Sequence, residues 1–193
     1  MILQSLKRIQ KSLKAALAEI DNADLRDRGI RHRYAEFLVA SELAQYGHHV
    51  QVLSEREDTS ADIYLPDIQK KVEVKSCKAH DGNQDTDWAY ASFGKGNQIK
   101  GGKFDYCVFV VFRNASERVR EILVFTRDEL KEVAKIRKGL AAHEETNPCL
   151  LICAPTLKDY DRILQSWGVK PLKIERSLCQ HRRRYVDAWD KVK

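Results

Sequence analysis

Apolar residues recur at intervals of three and four along the first twenty positions. They run from Ile2 to Ile20, and lysine and arginine occupy many of the positions between them. This spacing predicts an amphipathic helix with a basic outer face. After the polar sequence Asp-Asn-Ala-Asp at 21–24, the same spacing predicts a second helix from Ile30 to Tyr46, with Gly47 as its terminating residue.

The hydrophobic pattern then changes to one typical of β-strands. A short strand is predicted over 49–53. Residues 61–65 and 71–77 flank the turn Pro66-Asp67-Ile68-Gln69 and predict an antiparallel hairpin. Nearly every residue of 104–112 is apolar, which indicates a strand covered on both faces.

Polar residues and glycines dominate the segment between the hairpin and the apolar strand. Residues 78–103 contain five of the nine glycines, which predicts loops around one short helix over 92–100. Further along, Thr126 and Glu129 form a capping-box pattern that opens a helix. The elements predicted for the rest of the chain are that helix to about Leu140, a strand over 149–154, a helix from Thr156 to Gly168 and a last helix from Ile174 to Val192.

The composition is that of a globular protein. The chain has 193 residues, 43% of them hydrophobic and 32% charged, which predicts a single domain. We divide it into an N-terminal amphipathic helix (1–28), a core (29–112) and helical or strand additions (113–193). Neither a membrane-spanning run nor a secretory signal is apparent, and the five cysteines lack disulfide-scaffold or zinc spacing. We therefore expect a cytoplasmic protein with reduced thiols.

Basic residues concentrate at both ends of the chain. The net charge is +6 and the pI is near 9.0, which favours a polyanionic partner, although charged runs are by default solvated surface. A glycine-rich P-loop is absent, so we expect no nucleoside triphosphate. Candidate phosphate contacts are Lys95, Lys100 and Lys103 in the glycine-rich segment, and Arg182, Arg183 and Arg184 in the last predicted helix.

The predicted hairpin brings together residues that carry chemistry. Strand alternation places Glu73 and Lys75 on one face. If the turn is symmetric about 67 and 68, paired residue numbers sum to 135 and Asp62 lies opposite Glu73. Two carboxylates this close repel unless a cation binds between them, and hard oxygen ligands suit Mg²⁺. The alternative is a surface ion-pair cluster; Glu-x-Lys also recurs at 129–131.

These residues resemble the PD-(D/E)XK nuclease superfamily over roughly residues 30–112. The family's helix glutamate, strand aspartate and (Asp/Glu)-x-Lys sequence fall on Glu36, Asp62 and Glu73-Val74-Lys75. One departure is that Ala61, not proline, precedes Asp62. The literal Pro66-Asp67 lies in the predicted turn, too far from Glu73 to share its site.

The resemblance implies an α/β, restriction endonuclease-like core, in which helices flank a central mixed β-sheet of about five strands. Helices at both chain ends complete the expected fold. The resemblance also implies that Asp62, Glu73 and the Val74 carbonyl bind Mg²⁺, with Mn²⁺ as a substitute. Lys75 would serve the attacking water, Glu36 would support a second metal or orient waters, and Gln98 would lie near the metal and phosphate.

The expected function is that of a Mg²⁺-dependent endonuclease that hydrolyses DNA phosphodiester bonds. A site-specific, restriction-type enzyme is the first expectation, and cutting both strands with one site per chain predicts a homodimer. The alternatives are a structure-specific repair or junction-resolving nuclease, and a non-catalytic DNA-binding module of the same fold. The sequence leaves open the recognition site, the cleavage stagger and the choice of DNA over RNA.

Overall fold

The computed structural model describes residues 2–19, 24–53, 61–78, 80–82, 86–92, 99, 101, 103–113, 118–133, 149–153 and 156–193. The helices are α1 (Ile2–Glu19), α2 (Asp24–Gln45), α3 (Arg127–Leu130), α4 (Leu157–Trp167) and α5 (Lys173–Gln180). The strands are β1 (Gln51–Val52), β2 (Ile63–Leu65), β3 (Lys70–Lys78), β4 (His80–Gly82), β5 (Thr86–Ser92), β6 (Tyr106–Phe112), β7 (Val119–Thr126) and β8 (Cys149–Cys153).

The two predicted N-terminal helices are confirmed, although α2 begins six residues before the expected Ile30. The end of α2 follows from Gly47, whose φ of 95° lies in the left-handed region that glycine adopts without strain. Gly47 and His48 donate their amide protons to the carbonyls of Ala44 and Leu43. These bonds satisfy the last free carbonyls of the helix and turn the chain toward β1.

A five-stranded sheet of order β1-β2-β3-β6-β7 forms the centre of the fold. Strands β3 and β6 are parallel and the other neighbours are antiparallel, so the prediction of a mixed sheet of about five strands is confirmed. Strand β7 was not predicted. It contains the apolar run 122–125 and pairs antiparallel with β6, the strand that precedes it in the chain, with Phe112 opposite Val119.

The hairpin register agrees with the prediction. Ile63 pairs with Val72, Tyr64 with Lys71 and Leu65 with Lys70, so each pair of numbers sums to 135. The turn contains Gln69 at a φ of 55°, a left-handed conformation that closes the hairpin. Just before the paired rows, Asp62 donates its amide proton to the Val72 carbonyl and its carboxylate accepts one from the Val74 amide, so it lies opposite the stretch that contains Glu73.

A second sheet, of order β4-β5-β8, occupies a region where mostly loops were expected. The prediction of loops over 78–103 is therefore wrong at 80–82 and 86–92. Strand β5 forms because β8, some sixty residues later in the chain, supplies antiparallel backbone partners. Of the predicted helix over 92–100, Ser92 belongs to β5 and Ile99 is helical, while the positions between them lie outside the described residues.

Two hydrophobic clusters cover the two faces of the central sheet. The even-numbered residues of β6 pack with Ala35, Val39 and Leu43 of α2, and its odd-numbered residues pack with Leu130 of α3 and Leu178 of α5. All seven residues of β6 are buried, as its apolar sequence predicted. The expectation of helices on both faces of the sheet is confirmed.

The capping residues predicted for the later helices are confirmed. Thr126 and Glu129 form the reciprocal capping box of α3, and Thr156 caps α4, which ends at Gly168 with a φ of 65°. The predicted extension of α3 to about Leu140 falls mainly on 134–140, outside the described residues. Strand β8 confirms the strand predicted over 149–154.

The single C-terminal helix predicted from Ile174 to Val192 is wrong. Helix α5 ends at Gln180, and two 3-10 turns follow at Arg182–Arg184 and Trp189–Lys191. Val124 donates its amide proton to the Tyr185 carbonyl at 2.8 Å, and Asp187 donates to the Ile122 carbonyl at 3.0 Å. Because these backbone groups pair with β7, they are not available to continue a helix.

Among the described residues, no helix combines the length and the apolar character that crossing a membrane requires.

Candidate active site

The chain holds Asp62 between β1 and β3. Its amide donates to the Val72 carbonyl at 3.1 Å, and its carbonyl accepts a proton from the Leu53 amide at 2.8 Å. The carboxylate is fixed as well, because Oδ2 accepts a hydrogen bond from the Val74 amide at 2.7 Å. Three bonds thus orient this side chain toward the middle of β3, the position that the register predicted.

Strand alternation separates the acidic and apolar residues of β3. Val72 and Val74 are buried in the same cluster as α2, and Glu73 and Lys75 point to the other face. The Lys75 ammonium donates a hydrogen bond to Oε1 of Glu73. The side-by-side carboxylate and ammonium expected from the sequence are therefore present, and they form an ion pair.

Burial governs the protonation of this pair. Glu73 is only 5% exposed, and burial raises its pKa from 4.5 to about 7, with the Asp62 and Glu36 carboxylates adding to the rise and Lys75 opposing it. Burial alone would lower the pKa of Lys75, but the Glu73 carboxylate raises it by more, so its pKa lies above the ordinary value. Lys75 therefore holds its proton firmly.

An apolar wall from the neighbouring strand lies beside Glu73 and Lys75. In the parallel pairing of β3 with β6, Cys107 lies next to Glu73 and Phe109 next to Lys75, and both are fully buried. Burial, followed by the Glu73 carboxylate, raises the pKa of Cys107 well above its ordinary value, which keeps the thiol neutral. This wall excludes water from one side of the charged pair.

Glu36 enters the site from α2. It shares a helical stripe with Val39, Ala40 and Leu43, all fully buried, and is itself 2% exposed. Its position on this stripe therefore buries the side chain inside the fold. Its Oε2 atom accepts a hydrogen bond from Arg33, and its Oε1 atom lies 3.2 Å from Nε2 of His32.

His32 was not singled out from the sequence. Its Nε2 atom lies 3.8 Å from Oδ1 of Asp62, so His32, Glu36 and Asp62 form a group whose ligand atoms are all within 4.8 Å of one another. The sequence signal that could have found it is the four-residue spacing of His32 and Glu36, which places both on one helix face.

The literal Pro-Asp sequence lies away from this site. Asp67 is in the turn of the hairpin, as predicted, where its Oδ2 atom pairs with Nδ1 of His48 at 2.9 Å. That hydrogen bond lowers the pKa of Asp67 against the opposing effect of desolvation. The structure thus gives Asp67 a local role in the turn and leaves Asp62 as the aspartate beside Glu73.

The remaining predicted binding residues are dispersed. Arg182 donates two hydrogen bonds to the Glu121 carboxylate and one to the Ile152 carbonyl, so it joins the C-terminal segment to the fold. Arg183 and Arg184 are exposed, as is Lys103. Gln98, Lys95 and Lys100 lie outside the described residues.

No protein-family model matches the chain, and no curated protein matches it.

Proposed function

We propose that the protein is a Mg²⁺-dependent endonuclease that hydrolyses DNA phosphodiester bonds. The observation that supports this most directly is the convergence of three carboxylates and a lysine. The Asp62 carboxylate accepts a hydrogen bond from the Val74 amide, Val74 lies between Glu73 and Lys75, and the Glu36 carboxylate on α2 adds to the raised pKa of Glu73.

The proposal includes a restriction endonuclease-like fold. Helix α2 precedes the sheet, the β2–β3 hairpin bears the acidic residues and β6 runs parallel to β3. This order of elements agrees with the pattern that the PD-(D/E)XK resemblance implies for residues 30–112. It supports the assignment of Glu36, Asp62 and Glu73-Val74-Lys75 to the family's motif positions.

The donor set fits a hard divalent cation. Glu73 is a buried carboxylate whose pKa is raised by burial, by the Asp62 carboxylate and, to a smaller extent, by that of Glu36, and a bound cation relieves the repulsion among the carboxylates. Carboxylate and carbonyl oxygens are the ligands Mg²⁺ prefers. Asp62, Glu73 and the Val74 carbonyl would hold the ion, and Mn²⁺ would substitute for it. When bound, the ion supplies a water of lowered pKa and offsets charge on the scissile phosphate.

Lys75 is suited to orient the attacking water. Because its pKa is raised, its ammonium group acts as a hydrogen-bond donor and not as a proton acceptor at neutral pH. The attacking water would release one proton to solvent and its oxygen would form the new bond to phosphorus. The bond to the 3′ oxygen would break and that oxygen would take up a proton from solvent, which leaves a 5′-phosphate and a 3′-hydroxyl. Lys75 also offers positive charge to the phosphate as its negative charge grows.

Exposed basic residues support a nucleic-acid substrate. Lys7, Arg8 and Lys11 are exposed on α1, Arg183 and Arg184 are exposed near the C-terminus, and the chain has a net charge of +6. Such side chains bind phosphates without reading the sequence. We propose a site-specific, restriction-type enzyme that acts as a homodimer, and a structure-specific repair or junction nuclease is the alternative.

The test is cleavage of linear, supercoiled and branched DNA by the purified chain with Mg²⁺. Discrete fragments of linear duplex support restriction-type cleavage, and cutting at branches alone supports the junction-resolving alternative. Lys75→Ala should abolish cleavage, with Lys131→Ala as the matched control from the second Glu-x-Lys sequence. DNA binding without cleavage under Mg²⁺ and Mn²⁺ would instead identify a non-catalytic DNA-binding module.

A further inference from the structure

A β-bulge interrupts the pairing of β7 with β6. Val111 pairs with Glu121, and Phe112 pairs with Val119. Arg120 is therefore the extra residue between two paired rows. Phe112 and Val119 pack with α2, whereas Val111 belongs to the cluster on the opposite face of the sheet, here called the α5 face because α5 packs there. Directly paired side chains share a face, so Glu121 lies on the α5 face.

Glu121 orients two arginines on the α5 face. The Nε atom of Arg120 lies 3.7 Å from Oε1 of Glu121, and the Nε atom of Arg182 donates a hydrogen bond to Oε2 at 2.7 Å. The Glu121 side chain is 10% exposed, and those of Arg120 and Arg182 are 25% and 27% exposed. One carboxylate thus accompanies two guanidinium groups that retain access to solvent, so the three side chains together are positively charged.

Two further arginines face each other at the end of the same pair of strands. Arg113 and Arg118 extend the row after Phe112 and Val119, and the Arg113 amide donates to the Arg118 carbonyl at 2.9 Å. Strand alternation places both side chains on the α5 face, and both are exposed. Like charges directly opposite each other destabilise a sheet. Within the described part of the chain the structure gives neither guanidinium group a carboxylate partner, so an anion bound here would relieve the repulsion.

The α5 face also carries part of the proposed cleavage centre. Cys77 pairs with Val111 and Val111 with Glu121, so these residues form one row across β3, β6 and β7. Lys75 lies on the same face of β3, two residues before Cys77. With strands about 4.8 Å apart and a rise of about 3.3 Å per residue, the Cα atoms of Lys75 and Glu121 are roughly 12 Å apart. Duplex DNA advances about 3.4 Å per base pair, so this separation spans about three to four base pairs.

We propose that Arg113, Arg118 and Arg120 form a surface that binds the phosphate backbone of DNA beside the cleavage centre. A guanidinium group donates two parallel hydrogen bonds to one phosphate, which makes arginine well suited to this contact. The bulge supplies the third arginine, and Glu121 holds it together with Arg182. Contacts of this kind fix the position of a duplex without reading its sequence. That the DNA bound here is the substrate for cleavage rests on the proposed function.

The first test measures the binding of a labelled DNA duplex by fluorescence anisotropy at several salt concentrations, in chelator to prevent metal-dependent cleavage. The double variant Arg113→Ala, Arg118→Ala should bind at least about tenfold more weakly than wild type. The slope of log affinity against log salt should become shallower by about 1.8, or about 0.9 for each lost phosphate contact.

The matched control is the double variant Lys131→Ala, Arg162→Ala. It removes the same charge from two exposed residues, each of which pairs with an acidic neighbour. Its affinity and slope should equal those of wild type. An equal loss in both double variants, or no loss in the Arg113→Ala, Arg118→Ala variant, overturns the proposal.

A second measurement uses the wild-type protein alone. Phenylglyoxal modifies accessible arginines, and bound duplex should protect Arg113 and Arg118 from it, as mapped by mass spectrometry. Equal modification with and without DNA overturns the proposal. Vesicles that contain phosphatidylserine provide a different polyanion. If the double variant loses vesicle binding but keeps its affinity for DNA, the surface belongs to a membrane contact and the proposal is overturned.

The arginine surface and the nuclease can fail separately. If DNA binding depends on Arg113 and Arg118 but the wild-type protein cuts no DNA with Mg²⁺, the surface is supported and the proposed function is wrong. If the wild-type protein cuts DNA and the double variant binds and cuts it equally well, the proposed function is supported and the surface is wrong.

Discussion

The Val74 amide donates a hydrogen bond to the Asp62 carboxylate across the hairpin, at 2.7 Å. Val74 lies between Glu73 and Lys75 in the strand, so the residue that separates these two charged side chains also fixes the Asp62 carboxylate. Backbone pairing in one hairpin therefore sets the relative positions of all three groups.

Asp62→Asn should abolish metal-dependent cleavage while the fold is retained. The asparagine carbonyl can still accept the hydrogen bond from the Val74 amide, but the charge that attracts a cation is lost. We expect the cleavage rate with Mg²⁺ to fall by about 100-fold or more. Asp67→Asn is the control from the literal Pro-Asp sequence, and cleavage by it should be unchanged. If Asp67→Asn loses cleavage and Asp62→Asn does not, the assignment of the aspartate is wrong.

The stability of the metal-free protein should depend on pH through Glu73. Its pKa is raised from 4.5 to about 7 in the folded state, so the folded protein binds this proton more tightly than the unfolded chain. The stabilisation is fully present below about pH 4.5 and is lost as pH rises through 7. The melting temperatures of wild type and of Glu73→Gln are compared in the presence of a chelator. The difference, wild type minus variant, should fall between pH 4.5 and 7 and then level off. A difference that is constant with pH contradicts the raised pKa.

Removal of Lys75 should destabilise the fold more at high pH than at low pH. The variant Lys75→Met keeps the apolar stem but leaves the buried Glu73 carboxylate without its ion pair. We expect the free energy of unfolding to fall by about 1 to 3 kcal/mol at pH 8, and by less at pH 5, where Glu73 accepts a proton. Urea unfolding at the two pH values measures this. Lys131→Met, at an exposed position, should change neither value.

We expect the C-terminal arginines to differ in role, with Arg182 stabilising the fold and Arg184 binding DNA. Arg182→Ala removes the bonds to Glu121 and to the Ile152 carbonyl, so we expect a loss of about 1 to 3 kcal/mol in unfolding free energy. Arg184 is exposed, and Arg184→Ala should leave stability unchanged. If this surface binds DNA, Arg184→Ala should also lower the affinity and reduce the salt dependence by about one phosphate contact. Thermal melts and binding at several salt concentrations test both parts.

Local patterns were enough to predict the elements around the candidate site. The apolar spacing predicted α1 and α2, and the turn at 66–69 predicted the hairpin register, because helix period and turn chemistry involve residues close in sequence. The same register selected Asp62 over Asp67. Burial of Glu36 also followed from its place on an apolar helical stripe.

Elements that depend on distant partners could not be predicted in this way. Strand β5 forms against β8, and the final segment pairs with β7 where a helix was expected. In each case the backbone hydrogen bonds go to residues far away in the sequence, and these partners outweigh local propensity.

The sequence by itself determined the charged residues of the hairpin, their shared face and their register, because strand alternation and a tight turn are local constraints. Only the tertiary structure decided what surrounds them. Packing of α2 against the sheet brings His32 to within 3.8 Å of Asp62, thirty residues further along the chain. Burial against β6 raises the pKa of Glu73 to about 7. Both effects arise from contacts between separate elements, since the ligand set and the local dielectric depend on which surfaces meet.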